Sequence, residues 1–354
     1  MRPESYAFLE RFMHTHTPSG IESEGQLVWK DYTRQFADRV YSDVHGNMIA
    51  ALNADAPTRV MLAGHCDEIG FMATHISDEG FIHFTAIGGV DASVLPGLQV
   101  IFLNGNRVRG VIGKKPIHMI ERDARSKVIE IKDLVIDIGS KSKEETEKYV
   151  QVGAPACVLS NFMPLLNDFI TSKAWDDKVG AFVVAEALRI VGLNKDRLNV
   201  GVFAVSTVQE EIGSRGAQTS SYGIQPHVGI AVDVGFATDV PGDEKKVYGN
   251  VGLGKGPILH RGANCNIPLT AMLDAAAQKQ GIAVQWCAEP NATSTDADVL
   301  QITRSGVAAT LVSVPSRYMH TPVEVCSLSD IENAAVLIAE TLLAMPKQPD
   351  FLPY

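Results

Sequence analysis

Val60-Met61-Leu62-Ala63-Gly64-His65 is the stretch on which the fold turns. Four consecutive apolar residues, without alternation and ending at a glycine, describe a short strand buried on both faces. Three similar runs follow at residues 199–206 (Asn-Val-Gly-Val-Phe-Ala-Val-Ser), 228–232 and 307–314. Between the first and second lies an Ala/Leu/Val-rich helical pattern over 179–191, and further helices are predicted over 269–280 and 328–343. Apolar strands alternating with helices predict an α/β fold, a mostly parallel sheet with helices on both faces.

Outward from this core, Phe8, Leu9 and Phe12 recur at helical spacing before Thr17-Pro18-Ser19-Gly20 interrupts. A second helix is predicted through Glu22, Leu27, Val28 and Tyr32, with Ser19 or Gly20 as its cap. His45-Gly46-Asn47, set between apolar stretches within 40–52, predicts a hairpin. The stretch from 70 to 164 breaks the rhythm. Its short alternating segments at 81–84, 99–102, 107–111 and 134–136 predict a small β-rich domain, with only 143–149 helical. The expected division is therefore an α/β domain of residues 1–69 and 165–354 with a β-rich insert of 70–164. The tail from 346 to 354, with three prolines, reads as a surface extension.

Composition narrows the function. The 354 residues suggest about two domains at roughly 150 residues each. The 31 Lys and Arg stand against 41 Asp and Glu, a formal charge of −10, which argues against a nucleic-acid partner. No apolar run approaches the ~20 residues of a membrane span, and Met1 to Tyr6 lacks the apolar core of a signal peptide. A cytoplasmic protein is expected. The five scattered cysteines contain no CxxC spacing, so isolated reduced thiols are expected rather than a zinc knuckle or a disulfide framework.

Five segments place acids or histidines at or just beyond apolar strands: Gly64-His65-Cys66-Asp67-Glu68, Trp175-Asp176-Asp177-Lys178, Gln209-Glu210-Glu211-Ile212-Gly213, Val232-Asp233-Val234-Gly235 and Met319-His320-Thr321-Pro322. In open α/β sheets the carboxyl ends of the strands form the ligand crevice. Two histidines and several carboxylates converging there have the composition of a site for two divalent metals, zinc or cobalt. A histidine after a strand is commonly just a satisfied polar group, but Asp67 stands two residues beyond His65, where a carboxylate can orient a metal-binding imidazole. Asp176-Asp177 could equally be a solvated turn or a helix cap. On an extended segment Glu210 and Glu211 would point opposite ways, leaving one to bind metal and the other to face a water. Asp233, ending an apolar strand, would be costly without a partner.

With these motifs in hand, the chain resembles the dinuclear-metal aminopeptidases that include glutamyl aminopeptidase, deblocking aminopeptidases and the tetrahedral TET peptidases, some of them mislabelled endoglucanases. The matching motifs are residues 63–70 (Ala-Gly-His-Cys-Asp-Glu-Ile-Gly), 176–180 (Asp-Asp-Lys-Val-Gly), 210–217 (Glu-Glu-Ile-Gly-Ser-Arg-Gly-Ala), Asp233-Val234 and 317–322 (Arg-Tyr-Met-His-Thr-Pro), in the family's order. The resemblance implies a phosphorylase/hydrolase-like peptidase core with an inserted dimerisation domain, and often dodecamers built from dimers. It implies that His65 and Asp233 hold one metal, Glu211 and His320 the other, and Asp176 bridges both. Glu210 would be the general base and Asp67 would stand behind His65. Short peptides would be the substrates. Two departures, Asp-Asp-Lys for Asp-Asp-Arg and Ser294-Thr295-Asp296-Ala297 for Gly-Thr-Asp-Ala, spare the expected ligands and bear on substrate preference.

The implied chemistry is hydrolysis in which Glu210 takes a proton from water and returns it to the leaving amine. His260, Asn264 and Thr295-Asp296 are candidates for the specificity pocket or for surface turns. The glycine-rich 249–257 segment lacks the ending of a phosphate loop. A glycosidase would leave His65, His320 and Asp233 without a purpose, and a deacylase acting on small amides fits the Glu-Glu-Ile-Gly context less well.

Overall fold

The apolar run at 60–63 lies inside the strand Arg59–His65, at the centre of an eight-stranded sheet. The computed structural model describes all residues except 106, 120, 122–126, 160 and 243–244. The strand order is Arg39–Ser42, Met48–Leu52, Gly201–Thr207, Arg59–His65, Val228–Phe236, Ala308–Ser316, Ile258–Gly262, Gln285–Glu289. The four central strands, from Gly201–Thr207 to Ala308–Ser316, run parallel. The sheet is nevertheless mixed. The hairpin formed by Arg39–Ser42 and Met48–Leu52 joins Gly201–Thr207 antiparallel, and Ile258–Gly262 joins Ala308–Ser316 antiparallel.

Side chains alternate across this sheet, as its pleat requires. Val60 and Leu62 join a cluster that takes in residues of the helices Pro3–Met13, Ser23–Thr33, Trp175–Leu193, Ile267–Gln280 and Leu328–Ala344. Met61 and Ala63 point the other way, to a cluster shared with Ile224 of Arg215–Ile224 and with Ala297 and Leu300 of Asp296–Gln301. Each fully buried aliphatic side chain contributes roughly 1.5–3 kcal/mol. Burial therefore explains the helix Arg215–Ile224, whose Gly, Ser and Thr content gives it poor intrinsic propensity.

Residues following His65 leave the sheet and build a closed six-stranded barrel, in the order Gly70–Ile76, Ile82–Ile87, Val135–Asp137, Arg109–Gly113, Gln99–Phe102, Pro155–Val158. It has its own core, including Phe71, Phe84, Val100, Phe102, Ile112 and Ile136. The helix expected over 143–149 is a single turn, Lys143–Thr146, capped by Ser142, after which the N–H groups of Lys148 and Tyr149 bond three residues back and the chain tightens into turns. The chain re-enters through a three-stranded sheet of Met163–Pro164, Phe169–Ser172 and Glu324–Ser327. The second helix begins after Glu22 rather than at the expected Ser19 or Gly20 cap. No helix among the described residues is long and apolar enough to cross a membrane.

Candidate metal centre

His65 closes its strand, and Asp233 lies in the adjacent parallel strand Val228–Phe236. Asp176 and Asp177 open the helix Trp175–Leu193 with non-helical backbone and are joined by a cis peptide. This helix can approach because two glycines face each other. A Cβ on Gly64 would collide with the Gly180 backbone, and one on Gly180 with the Asp177 carboxylate and the Val232 carbonyl. Glu210 and Glu211 follow Gly201–Thr207, and His320 lies between Ala308–Ser316 and Glu324–Ser327 with a left-handed φ of +60°.

These segments bring two donor groups together among the described residues. One is His65, Asp176 and Asp233, and the other is Asp176, Glu211 and His320, with one ligand atom of each residue within 4.8 Å of the others in its group. Asp176 belongs to both. Its Oδ1 lies 3.3 Å from His65 Nε2 and its Oδ2 lies 3.1 Å from His320 Nε2. Glu211 Oε2 is 3.6 Å from His320 Nε2, and Glu210 Oε2 is 3.6 Å from His65 Nε2. Asp67 is wholly buried and accepts from Ser19 Oγ at 2.7 Å and from the Glu210 and Glu211 backbone N–H groups at 3.0 and 3.2 Å. His65 Nδ1 meets the Asp67 carbonyl at 3.1 Å and its carboxylate at 3.4 Å.

The electrostatics are those of a site short of positive charge. Burial, with Asp176 close by, pushes Glu211 and Asp233 well above the carboxylate range. Glu210 is raised by burial against the pull of His65, with Asp67 adding to the rise. Burial and Glu210 lift Asp296 to about 7. Burial would hold Asp176 up as well, but the two imidazoles draw it below its ordinary value. Burial alone would depress His65, yet Asp176 and Asp67 raise it well above 6.5. Glu211 Oε1 is buried without a hydrogen-bond partner. Two imidazoles, three carboxylates and an orphaned buried carboxylate oxygen suit divalent cations, which would relieve the crowding of like charge.

Every residue expected as a ligand thus lies in one of these two groups. Two local readings differ from expectation, those of Glu210-Glu211 and Lys178, and one is decided between its alternatives. Glu210 and Glu211 do not sit on an extended segment. The strand ends at Thr207, a left-handed Gln209 starts a turn, and Asp67 clamps both amides so that both carboxylates face the same site. Asp177 is the helix cap among the two expected alternatives, but a buried one, its carboxylate accepting from the Gly180 N–H and also from that of His65. Lys178 is fully buried and paired with Glu68 at 3.0 Å, so the Asp-Asp-Lys departure is absorbed by packing and not by a substrate-facing position. His260, Asn264 and Asp296 are also buried, held by Ser313, by Thr293 with Gln301, and by Thr207 respectively.

Glu324 escaped the sequence reading. It is 2 % exposed, and its two carboxylate oxygens accept from the backbone N–H groups of His320 (2.9 Å) and Asp176 (3.0 Å). The one available signal was a lone acid in the apolar Val323-Glu324-Val325-Cys326. Beside the second donor group opens a cleft walled by Ile69, Phe71, Val90, Leu95 and Leu98 and reached by Asp176, Glu211 and His320.

Residues 46–337 match the M42 glutamyl aminopeptidase family. The chain is 37 % identical over 354 residues to a lysyl aminopeptidase of Pyrococcus furiosus, covering 98 % of this chain and 99 % of that protein. A TET aminopeptidase from a marine-sediment Thaumarchaeota archaeon superposes with a TM-score of 0.92 at 34 % identity, over 97 % of both chains. The TET1 peptidase of Pyrococcus horikoshii, which can assemble into a tetrahedron or a large octahedral shell, superposes with a TM-score of 0.86 at 30 % identity, over 96 % of this chain and 100 % of that one. The chain is a peptide hydrolase belonging to the M42 glutamyl aminopeptidase family.

Proposed function

We infer that the chain is an aminopeptidase that removes N-terminal residues from short peptides with a centre of two divalent ions, zinc or cobalt, and Glu210 as general base. The observation that carries this reading is the sharing of Asp176 between two donor groups, with Glu210 beside the first. His65 and Asp233 would hold one ion and Glu211 and His320 the other, with Asp176 between them. When bound, such ions supply Lewis acidity and lower the pKa of a water towards neutrality.

The chain's own residues perform the proton work. The Glu210 carboxylate is raised by its buried setting, which brings it nearer the pH at which a base both accepts and returns protons well. Ser214 Oγ donates to its Oε1 at 3.0 Å, and Asp67 fixes its backbone, so Oε2 is left to face the site. Glu210 takes a proton from the attacking water and delivers it to the amine that leaves. Asp67 is a positioning residue, setting Glu210, Glu211 and the His65 ring at once.

The same reading divides the chain into an α/β catalytic domain of residues 1–69 and 165–354 and an inserted domain of 70–164 built on the barrel. By analogy with the TET1 assemblies, the insert would pair chains into dimers that build a dodecamer. The five free cysteines suit a reducing cytoplasm. Glu210→Gln is the direct test. It is expected to retain its metal content by elemental analysis while losing most turnover of aminoacyl-anilides, and unchanged turnover would overturn the assignment of the base.

A further inference from the structure

The barrel strand Ile82–Ile87 is followed by two glycines, Gly88 and Gly89, that pass close against Glu211 and His320. Gly88 has a left-handed φ of +76°. A Cβ there would stand 3.2 Å from Glu211 Oε2 and 3.3 Å from Glu211 Cβ, with Ile69 Cγ2 at 2.9 Å. A Cβ on Gly89 would stand 3.2 Å from both Cε1 and Nδ1 of His320. His320 Nε2 faces Asp176 at 3.1 Å, while the ring's Nδ1 and Cε1 are the atoms that Gly89 approaches.

We propose that the Gly88-Gly89 turn is a positioning element for the Glu211 and His320 half of the metal centre, supplied by the barrel rather than by the sheet. Backbone packed against an imidazole restricts the orientation of the ring and so the direction in which its other nitrogen points. The two halves differ in this respect. His65 is oriented by Asp67, two residues along its own chain segment. His320, carried on a loop with left-handed Tyr318 and His320, has the barrel's Gly89 close against its ring. The absent Cβ atoms matter because the turn already touches both ligands. A methyl on Gly89 requires the His320 ring to yield by a few tenths of an ångström, and a methyl on Gly88 presses on the Glu211 carboxylate.

This inference rests on the dinuclear reading above, and one experiment separates the two. Apo protein is titrated with Co²⁺ or Zn²⁺ in a metal buffer, with bound ions counted by elemental analysis and Co²⁺ sites followed by visible absorption. Wild type is expected to bind two ions per chain. Gly89→Ala, at a position with no left-handed backbone, is expected to weaken one ion by roughly 10–100-fold, the usual effect of disturbing the group behind a ligand, and to leave the other unchanged. Gly97→Ala is the control. It strains the same barrel at φ +93° but meets open space, and both ions should bind as in wild type. Gly89→Ala with unchanged binding, equal weakening of both ions, or the same selective loss in Gly97→Ala would overturn the positioning role. Fewer than two ions in wild type would overturn the dinuclear reading, and this inference with it.

Discussion

Asp67→Asn is the perturbation that strains the site most while changing the fewest atoms. The Asp67 carboxylate is wholly buried and accepts three donors, Ser19 Oγ on Oδ2, Glu210 N–H on Oδ1 and Glu211 N–H on Oδ2. An asparagine keeps the shape but replaces one oxygen with an NH₂ group. Whichever way the amide turns, one of the two backbone N–H groups meets another donor. A hydrogen bond to a charged group contributes about 1.5–3 kcal/mol, so Asp67→Asn should lose about that much stability. Asp67→Ala removes all three partners and should lose on the order of 3–6 kcal/mol, a large share of the usual 5–15 kcal/mol. Because both amides belong to residues of the site, turnover should fall as well, by roughly 10–100-fold. Urea unfolding of the metal-loaded protein gives the first quantity and aminoacyl-anilide hydrolysis at saturating metal the second. Asp67→Asn with a wild-type midpoint and wild-type turnover would refute the reasoning.

Three further outcomes are expected. Glu324→Gln, which breaks the shared tether of Asp176 and His320, should weaken metal binding by roughly 10–100-fold in the same titration, and unaltered affinity would contradict the tether. Burial pushes the Glu68 carboxyl up, but Lys173 and Lys178 override it and carry it down to about 2. Its stabilising contribution is therefore complete above the ordinary glutamate value of about 4.3 and lost as the pH falls towards 2. The stability difference between wild type and Glu68→Gln, measured by urea unfolding, should narrow below about pH 5, and a gap of constant size would refute it. Chelation should abolish hydrolysis and lower the melting temperature, because ions that bind only the folded chain stabilise it. Added Co²⁺ or Zn²⁺ should restore both, and full activity after verified metal removal would contradict a metal-dependent mechanism.

Much of the centre was legible because buried parallel strands advertise themselves. The runs at 60–63, 199–206, 228–232 and 307–314 are apolar on both faces, and each falls in or overlaps a central strand. An acid or histidine at the end of such a run stands out, as His65 and Asp233 do. The rim elements were not legible for the opposite reason. Gln285–Glu289 is half-buried at the sheet edge, and Arg215–Ile224 is held by packing from residues distant in sequence. The barrel strands Gly70–Ile76 and Pro155–Val158 pair with each other across about eighty residues, a closure that no local pattern encodes. Glu324 was invisible because it recognises backbone N–H groups, one of them 148 residues away, and the identity of those residues carries no trace of the contact. Nothing in the sequence around Gly88 and Gly89 marks their approach to Glu211 and His320, residues distant along the chain.

Diffraction with anomalous scattering at the zinc and cobalt edges, on protein purified without chelators, tests the dinuclear centre most directly. Two peaks per chain are expected, one against His65 and Asp233 and one against Glu211 and His320, with Asp176 touching both. A single peak, or metal held by residues outside these two groups, would contradict the account.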